Sequence, residues 1–255
     1  MAQTTYKDLL DAGAHFGHLT RKWDPKMAPY IFMEKNGIHI IDLNKTLVSL
    51  DYAATAIRNI AKSGRKIMFV ATKKQAQEIV TTEAERLKMP FVTDRWLGGM
   101  LTNFATVRKS LKKMATIDKM VKENTAYAAL AKREKLMMSR ERAKLDRVLG
   151  GIADLGRLPA ALFIVDVKRE HIAVKEAHKL GIPVFAMCDT NSNPELVQFP
   201  IPANDDASKS IQLIVGVIGK AIEDGLSERK VDKEDAERKE ADEAAIAEKT
   251  AADEE

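Results

Sequence analysis

Three uninterrupted apolar runs constrain the fold of this chain most. They are Ile67-Met68-Phe69-Val70-Ala71 (behind Lys66), Ala160-Ala161-Leu162-Phe163-Ile164-Val165, and the stretch from Ile182 to Cys188. A strand with one wet face alternates polar and apolar residues. A short continuous apolar run instead fits a strand buried on both faces, as in parallel sheets covered by helices. The segments between the runs have helical periodicity. Leu47, Leu50, Ala54, Ile57 and Ala61 recur three or four apart over 46–62, and Gly64 follows as a stop. Residues 74–88, 170–180 and 205–224 repeat the pattern, the last with Ile211, Ile214, Val215, Ile218 and Ile222. Ile38-His39-Ile40-Ile41 and Pro90-Phe91-Val92 read as two more short strands, and residues 1–12 as a short amphipathic helix. Strand and helix alternate, so right-handed helical crossovers joining parallel strands are predicted.

One segment breaks this rhythm. Over 105–149, Val107, Leu111, Met114, Ile117 and Val121 form a narrow seam of heptad type, and Met138, Leu145 and Ile152 recur every seven residues on a returning limb. A turn is expected at Glu123-Asn124-Thr125, and Gly150-Gly151 marks the return to the sheet. The prediction is an antiparallel helical hairpin inserted as an arm into a scaffold domain formed by 1–104 and 150–226. At 1.5 Å per residue the arm reaches about 30 Å. Residues 227–255 carry almost no large apolar side chain after Val231 except Ile246, and are expected to be disordered or a frayed helix.

Charge separates the same three parts. The 255 residues hold 41 Lys and Arg against 37 Asp and Glu, a formal balance of +4. The tail 227–255 has 6 basic and 12 acidic residues, while the arm has 13 basic and 5 acidic. A concentrated basic segment is the footprint of a polyanion partner; a solvated helix face is the competing explanation. There is no apolar run long enough to span a membrane and no secretory-type leader at Met1–Asp8. The one cysteine, Cys188, excludes a disulfide framework and a multi-cysteine zinc site, and a reducing cytoplasm is expected.

No phosphate loop, GxGxxG, GxSxG or HExxH pattern occurs. The informative clusters are of another kind. Arg21, Lys22, Trp23 and Lys26 lie in a loop stiffened by Pro25 and Pro29, with Tyr30 at its end. Guanidinium and ammonium groups suit phosphates, and the rings suit unpaired bases. The rival reading has Trp23 and Tyr30 anchoring the loop to the core. In 94–104, Gly98-Gly99 permits close backbone approach, while Arg95 and Asn103 suit a sugar-phosphate chain; the rival is a tight turn with Trp96 in the core. On the arm, Arg108 and the same-face trio Lys109, Lys112 and Lys113 suit phosphate contact. His18, Asp189 and Asp205, with His15, Asp166, Asn191, Asn193 and Asp206, are expected near strand carboxyl ends, where open sheets bind ligands. An imidazole with two carboxylates suits a structural divalent metal, Zn or Mg, although turn and capping roles explain many of these residues.

Several long stretches carry a resemblance: AGAHFGHLTRKWDPKMAPYIF (12–32), NGIHIIDLNKT (36–46), DRWLGGMLTNF (94–104), LGGIADLGRLPAALFIVDVKREHIAVKEAHKLGIPVFAMCDTNSNPE (149–195) and PIPANDDASKSI (200–211). Over 1–226 the chain resembles the S-two family of bacterial small-subunit ribosomal proteins. The resemblance implies a three-layer, flavodoxin-like α/β domain with a helical-hairpin arm. It implies a structural, noncatalytic protein, requiring no cofactor or small-molecule substrate, bound to small-subunit ribosomal RNA between head and body. It further implies contacts with other small-subunit proteins, including the large messenger-binding one. The rivals from the residues alone are a metal-dependent phosphotransferase or hydrolase built on His18, Asp189 and Asp205, and a protein–protein adaptor.

Overall fold

The computed structural model describes residues 4–123, 127 and 130–252. Helix α1 (Tyr6–Asp11) begins at a reciprocal cap, in which Thr5 and Asp8 each bond the other's backbone N–H. A small antiparallel sheet follows: β1 (Phe16–Leu19), β2 (Ile31–Lys35) and β3 (Ile38–Ile41), in the order β1-β3-β2. Asn36 and Gly37, both at positive φ, turn β2 directly into β3. Helix α2 (Leu43–Lys62) then leads to the main sheet.

That sheet is parallel throughout. Its strands are β4 (Ile67–Val70), β5 (Phe91–Val92), β6 (Ala161–Val165), β7 (Val184–Cys188) and β8 (Phe199–Pro202), in the order β5-β4-β6-β7-β8. Counted along the chain this is 2-1-3-4-5, the order of flavodoxin-like doubly wound sheets. Helix α3 (Lys74–Arg86) joins β4 to β5, and α6 (His171–Lys179) joins β6 to β7. The link from β7 to β8 departs from strict alternation, with only a 3-10 turn at Pro194–Leu196.

Burial on both faces explains the apolar runs. Phe69, Phe163 and Phe185 point into one core with α2, α3 and α7 (Ser208–Ala252). Their neighbours Met68, Leu162 and Val184 point into a second core with α6 and the root of α4 (Phe104–Glu123). Helices therefore cover both faces, giving three layers.

Helices α4 and α5 (Lys132–Leu149) lie within the predicted arm segment and touch each other. Lys113 reaches Glu141, and Arg142 Nε lies 2.8 Å from Asp118 Oδ1. Leu111, Met114 and Ile117 are buried, whereas Val121 is exposed. Leu111 and Met114 join the second core, so the first turns of α4 share the body's interior. Past Glu123, the expected turn falls outside the described residues.

The last helix, α7, is helical in backbone to Ala252, through the acidic segment expected to be disordered or a frayed helix. Ala, Glu, Lys and Arg dominate there, all strong helix formers. Near its start the segment is held to α2 by Lys62 Nζ at 2.9 Å from Asp232 and by Arg58 at 3.4 Å from Glu228.

Candidate nucleic-acid interface

The loop between β1 and β2 forms two 3-10 turns, Thr20–Lys22 and Pro25–Tyr30. Asp24 bridges them: its side chain accepts from Lys26 N at 2.9 Å and its N–H donates to Thr190 O at 2.8 Å. Met27 is the fully buried anchor. Trp23 is 39% exposed, with its ring 5.2 Å from that of His39. Arg21 and Lys22 are exposed and have no ion-pair partner among the described residues. Lys26 Nζ instead pairs with Glu195 at 3.0 Å. The loop thus offers two free cations and a half-open indole, not three free cations.

The second loop is organised by a residue that sequence reasoning missed. Glu176, buried on α6, accepts from Trp96 Nε1 (3.2 Å), Gly99 N (2.7 Å), Leu101 N (3.0 Å), Thr102 N (3.0 Å) and Thr102 Oγ1 (3.1 Å). Burial alone would raise its carboxyl pKa. The bonds from Thr102, Gly99, Leu101 and Trp96 outweigh burial and hold it below the ordinary glutamate value. Trp96 is therefore a core residue, as the structural alternative expected. Asn103 Oδ1 accepts from Thr106 Oγ1 at 2.9 Å, and its carbonyl accepts from Thr106 N, so it closes the start of α4. Arg95 is exposed and has no ion-pair partner among the described residues.

On the arm helices, Arg108, Lys109, Lys112, Arg133, Arg140 and Lys144 are exposed without an ion-pair partner among the described residues. Lys113 differs, because the returning limb supplies Glu141. Arg142 is held by Asp118 and Asp146, and Arg147 by Asp94 at 3.2 Å. Thus α4 keeps three of its four candidate cations free.

The His–Asp cluster does assemble at the carboxyl ends of β7 and β8. His18, Asp189, Asp205 and Asp206 each bring one ligand atom within 4.8 Å of the others. His18 Nδ1 lies 3.0 Å from Asp189 Oδ2 and its Nε2 3.4 Å from Asp206 Oδ2. Thr190 Oγ1 fixes the strand below by accepting from His18 N at 2.8 Å. The Asp189 contact raises the imidazole's pKa against the opposing effect of burial. Burial pushes the Asp205 carboxyl up to about 7, helped by Asp166 and Asp189 and opposed by Lys73. Sequence reasoning also missed Lys73, whose Nζ sits 2.6 Å from both Asp205 and Asp206. This side chain supplies one positive charge to the acidic group. Asp205 Oδ2 remains buried with no hydrogen-bond partner among the described residues. His15 stands apart, its ring against Phe16.

A parallel 2-1-3-4-5 sheet covered by helices on both faces, with a cationic helical insertion, defines an α/β domain of flavodoxin-like order. The family model described as ribosomal protein S2 matches residues 9–225, and the chain belongs to that family. A "small ribosomal subunit protein uS2" of Cytophaga hutchinsonii is 70% identical over 239 residues, covering 94% of each chain. Proteins of the same description from Parabacteroides distasonis and Flavobacterium psychrophilum are 60% and 62% identical, covering 93% and 89% of this chain and 85% of their own. These relatives are named as ribosomal proteins, not as enzymes.

Proposed function

We propose that this chain is a structural constituent of the small ribosomal subunit that grips its ribosomal RNA between head and body. In this reading α4 and α5 form a projecting antiparallel hairpin. It and the 21–30 loop neutralise phosphates, while the sheet domain holds both in place. The observation that carries the reading is the set of unpaired cations Arg108, Lys109 and Lys112 on α4, joined by Arg21, Lys22 and Arg95 elsewhere. Long exposed cations without carboxylate partners are available to displace counterions from a polyanion. A folded RNA is met through backbone and shape, which asks for this distribution rather than a deep cleft. Neighbouring small-subunit proteins, the large messenger-binding one among them, are the expected protein partners. The small sheet supports this with exposed apolar side chains: Phe32 is 71% exposed on β2, and Phe16 and Met33 flank Ile40 from the two neighbouring strands.

The test is a salt titration of ribosomal RNA binding. Replacing Arg108, Lys109 and Lys112 together with Glu is expected to weaken binding and to flatten the log–log salt slope by roughly 2–3, since each phosphate contact contributes about 0.7–0.9. Unchanged affinity, slope and subunit incorporation would remove the arm from the account.

A divalent cation held by His18, Asp189 and Asp205 belongs to the same reading as a structural brace. The nitrogen-and-oxygen donor set fits Zn, and the unpartnered Asp205 Oδ2 supplies a free ligand atom. Elemental analysis of the purified chain, with chelation lowering its urea midpoint, is the expected result. A metal-free chain whose midpoint ignores both chelator and added zinc would dismiss the ion.

A further inference from the structure

We infer that the cleft at the topological switch point is a binding pocket for one nucleoside monophosphate unit. In a 2-1-3-4-5 sheet the connections from the first and third strands leave toward opposite faces, opening a crevice at their carboxyl ends. Here those strands are β4 and β6. A cavity of about 370 Å³ lies at that point, lined by Thr72, Arg95, Trp96, Arg169, Glu170 and Ile172. Its volume falls within the range of small-ligand sites, about 300–1,000 Å³.

The lining has the polarity such a ligand requires. Thr72 acts as a relay: its hydroxyl donates to Glu170 Oε1 and accepts from Arg169 Nε at 2.9 Å. Thr72 N also donates to Glu170 Oε1, at 2.9 Å. The Arg169 side chain is thereby oriented while its two terminal nitrogens have no partner among the described residues. Arg95 enters from the end of β5, also without an ion-pair partner among the described residues. The other acid on the wall, Asp94, is already engaged by Arg147. Two guanidinium groups therefore line one small cavity, in which Asp94 pairs with Arg147 and Glu170 accepts from Thr72 and shares its charge with Arg169. This setting leaves Arg95 and the terminal nitrogens of Arg169 for bidentate phosphate contact. Ile172, 42% exposed, supplies apolar surface for a base or sugar.

The ligand chemistry is a nucleoside monophosphate, from either of two sources: a nucleotide turned out of a bound RNA, or a free mononucleotide. Only the first source depends on the RNA-binding reading above. The experiment titrates the full chain calorimetrically with adenosine 5′-monophosphate, then with a single-stranded RNA hexamer as competitor. The variants are Arg95→Ala/Arg169→Ala, the charge-keeping Arg95→Lys/Arg169→Lys, and Arg108→Ala/Lys112→Ala on the arm as control. Both guanidinium groups are exposed, so the fold is expected to persist, and circular dichroism checks it. The wild type and the arm control are expected to bind the mononucleotide alike. The double-Ala variant should lose roughly tenfold or more, and the Lys variant less. Competition by the hexamer assigns the pocket to RNA; its absence assigns it to free nucleotide. No mononucleotide binding by the wild type, or equal binding by the double-Ala variant, overturns the inference. Ribosomal RNA affinity of the arm variant, measured in parallel, reads the broader function separately.

Discussion

Replacing Glu176 tests whether one buried carboxylate sets the root of the arm. It receives five donors, four of them from the loop 99–102 and one from the Trp96 indole. A hydrogen bond to a charged group contributes about 1.5–3 kcal/mol, and a buried donor left without an acceptor costs about 1–3 kcal/mol. Five such bonds do not add, because they share two oxygens and because Gly99 and Thr102 are near enough to solvent to find water. The Trp96 and Leu101 donors are the most deeply buried, so about 3–5 kcal/mol is expected for Glu176→Ala. Glu176→Gln is the sharper test. Its amide has nearly the same shape but turns one acceptor into a donor, which then faces N–H groups. It should therefore lose nearly as much as Ala. Equilibrium urea unfolding reads both losses as a shift in midpoint at constant slope. Acidity supplies a second readout. The folded carboxyl titrates below the ordinary value of 4.5, so its stabilisation is complete above that value. It begins to fade as pH falls below 4.5 and is gone below the folded pKa. The gap between wild type and Gln should close in the same direction. A Gln variant within about 0.5 kcal/mol of wild type at neutral pH would refute the reasoning.

Three further outcomes are expected. Lys73→Met leaves Asp205 and Asp206 without their internal cation and should cost about 3–5 kcal/mol, read from the urea midpoint; an unchanged midpoint would mean the acids do not need that charge. Gly151→Ala places a methyl 2.4 Å from the Phe91 carbonyl and should cost about 1–3 kcal/mol by thermal unfolding, with an unshifted transition counting against the close approach. The Cys188 thiol, fully buried and pushed far above its usual pKa by that burial, should ignore a thiol reagent until denaturant is added; prompt reaction in native buffer would contradict its placement.

The sequence made β4, β6 and β7 legible because burial on both faces removes every polar interruption. The first two strands lacked that signal. β2 is mostly exposed, and its only local mark is the Asn36-Gly37 pair, which is a hairpin turn once noticed. β8 hid behind Pro200 and Pro202, tolerated because it is an edge strand. The candidate site was legible as charge but not as pairing. Lys113 and Lys26 look as free as Lys112 does until Glu141 and Glu195 arrive from distant parts of the chain. Glu176 and Lys73 are the plainest cases. Each reads as an ordinary charged residue of an amphipathic helix or its cap, since the groups that bury it lie about 75 and 132 residues away. Nothing within a helical turn of either residue reports them.

The bond from His18 N to Thr190 Oγ1 spans 172 positions. During synthesis the first strand leaves the exit tunnel long before its acceptor exists. At 5–20 residues per second that interval is roughly 10–35 s. Throughout it β1 has no Thr190 to bind, so the amino-terminal sheet can be fastened to the body only once the end of β7 has been made.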